Sequence, residues 1–117
     1  MERTAEEWGR IAVSLPGWRW MPGMRNVIPP RNDGGPGFAS RILDAELTGP
    51  PPLTGLPDPD DPATGGCLLA LAGAPHRLLP TVEAWLSGAP VEGITSLGRA
   101  VIVDVRDQWG RWPGGEE

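Results

Sequence analysis

The chain contains no lysine and no tyrosine, and only one cysteine, one histidine and one phenylalanine in 117 residues. A single cysteine, Cys67, excludes an internal disulfide and any multi-cysteine metal site, and it points to a reducing, intracellular setting. A single histidine, His76, leaves little from which to build a base–nucleophile pair. Flanked by Pro75 and Arg77, it reads as a solvated turn residue. Cys67 falls on an apolar helix face, where a thiol behaves as a small hydrophobe and keeps its proton. No apolar run approaches the ~20 residues of a membrane-spanning helix. The start, MERTAEEWGR, has no basic region leading into an apolar stretch, so no secretory leader is expected. Gly34-Gly35-Pro36-Gly37 lacks the lysine and Ser/Thr of a phosphate-cradling loop, and its proline removes an amide donor. The net charge of −5 argues against an extended nucleic-acid footprint. GC-rich coding accounts for the missing lysine and tyrosine. It does not account for six tryptophans.

What is present fits one domain spanning 1–117. Such a chain buries about two-thirds of the surface exposed when unfolded, so its core is thin. Apolar residues make up 39%, and the 17 glycines and 15 prolines concentrate in connections. Thr4-Ala5-Glu6-Glu7 matches a capping box, and Trp8, Ile11, Ala12 and Leu15 follow at helical spacing, which predicts a helix over about 5–14 ended by Pro16-Gly17. Residues 18–21 and 24–28 flank Pro22-Gly23 and read as a short strand pair about a tight turn. Residues 38–44 alternate weakly, as a further strand. Residues 45–60 hold five of the 15 prolines and read as a surface loop. Asp61-Pro62 then starts a helix as N-cap and N1, which Gly73 and Pro75 close. Gly65-Gly66 within it imply close approach of another backbone. Residues 78–86 fit helix or strand. From Ser96, Leu97, Val101, Val105, Trp109 and Trp112 form a helical stripe that outweighs the β-favouring Val101-Ile102-Val103. Pro113-Gly114 ends it, and 113–117 form a frayed tail. The expected fold class is α+β, a small antiparallel sheet packed with N-terminal, middle and C-terminal helices.

Asp58, Asp60 and Asp61 invite a metal reading. EF-hand spacing is missing, however, and a helix start explains Asp61 as cap and Asp60 beside the dipole. Asp104 and Asp107 read as a solvated helix face. The remaining chemistry is the interleaving of arginine with tryptophan. Trp18, Arg19, Trp20, Arg25, Trp109, Arg111 and Trp112 combine flat apolar rings, which stack on bases, with guanidinium forks, which clamp phosphate or carboxylate. Together they would suit a small phosphorylated nucleotide. The other reading makes the tryptophans core aromatics of a chain without tyrosine. No cofactor, catalytic residue or metal is expected.

GWRWMPGM at 17–24 and LPDPDDPATGGCLLALAG at 56–73, followed by an apolar C-terminal helix, resemble a group of small proteins encoded by tailed bacteriophages and prophages of GC-rich hosts. The resemblance implies a phage origin and the cytoplasm of an infected bacterium. It brings no activity, cofactor or catalytic residue. The expectation is a non-catalytic binding protein that counters host defence by sequestering a nucleotide signal or blocking a host protein. The alternative is a structural or assembly accessory acting through protein contacts. A homo-oligomer is compatible with either, and an enzyme is the remotest reading.

Overall fold

The computed structural model describes residues 3–28, 34, 37–42, 55–74, 78–89, 91 and 93–113. Helix α1 (Ala5–Ser14) opens in the capping box read from the sequence. The Glu7 amide donates to Thr4 Oγ1 at 3.1 Å, and the Thr4 amide donates to Glu7 Oε1 at 3.2 Å. Trp8 and Ala12 face the core from its inner side.

The turn at Pro22-Gly23 forms: the Met24 amide donates to the Met21 carbonyl at 3.2 Å, and Gly23 has φ +96°. The hairpin expected around it does not. Residues 18–21 join no strand, because Trp18 and Trp20 pack on each other and on the core instead. Strand β1 (Arg25–Ile28) pairs antiparallel with β2 (Phe38–Arg41), Arg25 opposite Arg41 and Ile28 opposite Phe38. On its other side lies β3 (Leu56–Pro57), also antiparallel, with Val27 opposite Leu56. The sheet order is therefore β2-β1-β3.

The stretch expected to be a surface loop thus supplies a buried edge strand, and Gly55, Leu56, Pro57 and Pro59 are all buried. Proline is tolerated there because an edge strand can do without one ladder donor. Residues 45–54 lie outside the described residues, as does His76.

Helix α2 (Pro62–Leu71) begins at Asp61 as read. The Asp61 carboxylate accepts from the Thr64 amide and the Thr64 hydroxyl, both at 3.0 Å. Cys67 is half-buried rather than enclosed, and its thiol donates to the Pro22 carbonyl at 3.4 Å. Burial, helped by the charge of Asp61, pushes that thiol's pKa up. The close backbone approach expected at Gly65-Gly66 falls elsewhere. A Cβ on Gly65 would find ordinary contacts and one on Gly66 open space, whereas at Gly98 it would run into the Pro59 carbonyl.

Residues 78–86 resolve as a helix, α3 (Pro80–Leu86). Its start is held by Asp104, whose two oxygens accept from the amides of Thr81 and Val82 at 3.1 Å each. Asp104 is 2% exposed, so it is a buried cap and not part of a solvated face. Helix α4 (Leu97–Gln108) starts at Ser96, whose hydroxyl accepts from the Arg99 amide. The helical stripe does override the β-branched run. The helix stops earlier than Pro113, however, because Gly110 (φ +67°) turns the chain and its amide donates to the Val105 carbonyl at 2.9 Å.

Helices α1, α2 and α3 all pack against α4. Met24, Ile42, Leu68, Leu71, Val101, Ile102, Val105 and Trp112 fill the space between, with less than 2% exposure each. The result is a small α+β fold of four helices and a three-stranded antiparallel sheet among the described residues. No helix is long and apolar enough to cross a membrane.

Asp61→Ala removes the α2 cap and the acceptor of the Thr64 hydroxyl together. It is expected to cost about 2 kcal/mol, the upper end for an N-cap. Urea denaturation checks this, and an unchanged midpoint would place the helix start elsewhere.

The same turn sets an acid limit. Hydrogen bonds from Arg41 hold the Asp61 carboxyl below its ordinary pKa, against burial and with help from Thr64. Burial pushes Asp60 up, but hydrogen bonds from Arg99 and Ser96 and the Arg99 charge outweigh it, so its pKa also falls. Carboxylates whose folded pKa lies below the unfolded value stabilise above that unfolded value, about 4, and lose their contribution as pH drops through the folded one. The urea midpoint should therefore hold from pH 7 to about 5 and fall below about pH 4. Asp61→Asn, which keeps a capping oxygen but no charge, should flatten part of that fall. An equal fall in the variant would remove Asp61 from the account.

Candidate functional site

The two arginine–tryptophan segments lie side by side, as the chain leaves α1 and as it leaves α4. The Trp112 amide donates to the Pro16 carbonyl at 2.8 Å. A Cβ on Gly17 would stand 2.6 Å from the Trp112 carbonyl oxygen, so glycine is required there both for space and for its φ of +87°. Trp18 meets Trp20 edge to face, with centroids 5.5 Å apart and planes at 78°. Trp18 also meets Trp112 at 5.8 Å and 60°. Three tryptophans from opposite ends of the sequence form one cluster.

Within it the rings play different parts. Trp112, expected as one wall of a ligand pocket, has 0% exposure. Its indole Nε1 donates to the Ala12 carbonyl at 2.8 Å. The ring plugs the junction between α1 and Trp18, where no face is open to stack on a base. This corrects the reading of Trp112 as a ligand contact. Trp18, Trp20 and Trp109 each keep part of their surface in solvent, and Arg19 and Arg111 are exposed. The Trp18 indole N–H is buried without an acceptor among the described residues, as is that of Trp8. Neither of those indole N–H groups anchors its ring, whereas Trp112 is held by its hydrogen bond.

Arg25 faces another duty. Its guanidinium lies 3.5 Å from Asp58, and its amide donates to the buried Thr64 hydroxyl at 2.8 Å. Trp8 is covered by two cations, with the Cζ of Arg3 at 5.7 Å and of Arg106 at 5.6 Å from the ring centre. At 5% exposure it is a core ring under a charged lid.

The three aspartates of the DPDDP stretch each answer an arginine. Asp58 faces Arg25, Asp60 takes Nε and Nη2 of Arg99 at 2.9 Å each, and Asp61 takes both terminal nitrogens of Arg41 at 2.6 and 3.2 Å. Arg99 also donates to the Arg3 carbonyl at 3.1 Å. Among the described residues no group of three His, Cys, Asp or Glu side chains is placed to hold a metal.

Beside this turn lies an open cleft of about 360 Å³ between the starts of α2 and α4, with Trp85 and Leu97 as apolar walls and Thr95 and Ser96 at its edge. Both of its carboxylates, Asp60 and Asp61, are already engaged. Sequence reasoning did not find Arg99, because its partner stands 39 residues away and nothing local marks it.

Comparison with protein-family models, curated proteins and solved structures finds no match to the chain.

Trp112→Ala should cost about 3–5 kcal/mol, the range for a large buried ring cut to alanine. Thermal or urea denaturation reads this directly. A variant as stable as the parent would return Trp112 to the surface and reopen the pocket reading.

Proposed function

We propose that the chain is a small non-catalytic binding protein, of phage or prophage origin, that occupies a host protein through its tryptophan–arginine end. One observation carries this reading. Trp18 and Trp20 stand edge to face 5.5 Å apart, both partly exposed, and Trp18 rests against the buried ring of Trp112. Tryptophan and arginine dominate the energetic centres of protein interfaces. A platform fixed from behind loses little freedom on binding, so more of its contact energy appears as affinity. The phage context rests on the sequence resemblance and on nothing in the fold.

A protein partner is favoured over a nucleotide for a geometric reason. Of the four rings expected to stack on a base, Trp112 is committed to the core and offers no open face. What remains is a relief of partly exposed rings with Trp18 and Trp20 set edge to face, better matched to a partner's side chains than to a lone base.

The test compares Trp20→Ala with the parent chain. The variant should stay folded, with a smaller loss of melting temperature than Trp112→Ala. It should lose about 2 kcal/mol or more of affinity, as for an interface centre, for the protein that co-purifies with the parent from cells carrying the phage. Retention of that partner by Trp20→Ala would end the reading. Saturable tryptophan quenching by a nucleotide at millimolar concentration, abolished in Arg19→Ala, would replace it with nucleotide sequestration.

A further inference from the structure

Six of the eight arginines among the described residues lie within 4.0 Å of a carboxylate. Arg3 lies 4.0 Å from Glu7, Arg10 3.5 Å from Glu6, Arg25 3.5 Å from Asp58, Arg41 2.6 Å from Asp61, Arg99 2.9 Å from Asp60 and Arg106 2.9 Å from Asp107. Arg19, exposed between Trp18 and Trp20, has no such partner among the described residues. Its surroundings in the sequence are also unusual. The stretches LPGWRWMPGMR at 15–25 and WGRWP at 109–113, joined by the Trp112–Pro16 hydrogen bond, contain no aspartate or glutamate, in a chain that carries 15.

We infer that the surface docked by this end is an acidic, apolar-containing segment of a protein, with Arg19 taking a carboxylate beside the Trp18–Trp20 pair. This deepens the proposed protein-binding function and rests on it. A guanidinium donates two parallel hydrogen bonds to a carboxylate, the geometry this chain already uses at Asp60 and Asp61. The two half-exposed rings take the aliphatic part of the same segment.

A nucleic acid would present the same negative sign, but its charge is dense and continuous. It would meet the rest of a molecule of net charge −5 as well as these two stretches. A short acidic segment touches only that end, and carboxylates beyond about 8 Å are largely screened at physiological salt.

The experiment is an NMR titration of the full chain, following the indole N–H signals of Trp18 and Trp20 and the Arg19 Nε–H. The probes are two twelve-residue peptides with the same leucine and alanine content, one carrying four glutamates and the other four arginines, together with a thymidine oligonucleotide. The glutamate peptide should shift all three signals saturably and bind more weakly as salt rises from about 50 to 300 mM. Arg19→Ala should lose about tenfold in affinity, as for a lost charge-assisted hydrogen bond, and Arg19→Glu should lose binding altogether, both with an unchanged melting temperature. Arg19→Lys should recover part of the loss. Equal binding of the arginine peptide, no saturable shift with the glutamate peptide, tighter binding of the oligonucleotide, or indifference to Arg19→Glu would each overturn the inference. The co-purifying partner separates this from the broader reading. If Trp20→Ala loses that partner while Arg19→Glu keeps it, the surface stands and its acidic partner falls. If both variants keep it, the two fall together.

Discussion

Four residues, 58–61, hold the sheet and two helices in one arrangement. Asp58 reaches Arg25 on β1, and its amide donates to the carbonyl of the same residue. Asp60 reaches Arg99 on α4, and Asp61 reaches Arg41 on β2 while capping α2. The Pro59 carbonyl accepts from the Ser96 hydroxyl at 3.2 Å and sits against Gly98 at the start of α4. Pro57, Pro59 and Pro62 restrict the unfolded chain here, so less entropy is lost when the turn forms. The three ion pairs are unequal. The Arg25 and Arg41 side chains are nearly half exposed, which limits their worth to the small values of surface pairs. The Arg99 side chain is 10% exposed and gives three hydrogen bonds. Losing Asp60 would strand a nearly buried charge, so this pair carries most of the turn's effect.

How much of this was legible follows from the distance along the chain between partners. The capping box of α1, the Asp61 cap and the stripe of α4 involve residues three or four apart, and each was readable. Strand β3 was not, because nothing in a proline-rich stretch announces that Leu56 will lie opposite Val27. Asp104 was misread as solvated because the amides it caps lie 22 and 23 residues earlier. Residues 18–21 alternate as a strand would, yet ring packing claimed them. An apolar ring gains more from a buried face than a short edge gains from a few exposed hydrogen bonds.

The candidate site shows the same limit more sharply. That the two arginine–tryptophan segments would meet could be guessed from composition, and they do meet. Which ring would be core and which surface could not, because the deciding contact joins Trp112 to Ala12, 100 residues away. A chain with one phenylalanine and no tyrosine draws its large aromatic core volume from tryptophan, the residue that the proposed binding end would also use. Its tryptophans therefore cannot be sorted by type. Trp8, under Arg3 and Arg106, and Trp112 serve the first purpose, and Trp18 and Trp20 remain for the second.

That division gives the proposed binding end its character. A partly exposed tryptophan on a mobile loop would have to be ordered when a partner arrives, at about 0.5–1.5 kcal/mol for each side chain. Here the chain leaving α1 is tied to the chain leaving α4 by a backbone hydrogen bond, and Trp18 rests on a ring that is itself hydrogen-bonded to α1. The ordering is done during folding, by the same core that Trp112 completes. On the proposed reading, stability and binding would be coupled through one residue buried away from the partner. If that reading holds, loosening Trp112 would cost affinity even where the outer rings are intact, and the buried ring would act on recognition as a positioning residue rather than a contact.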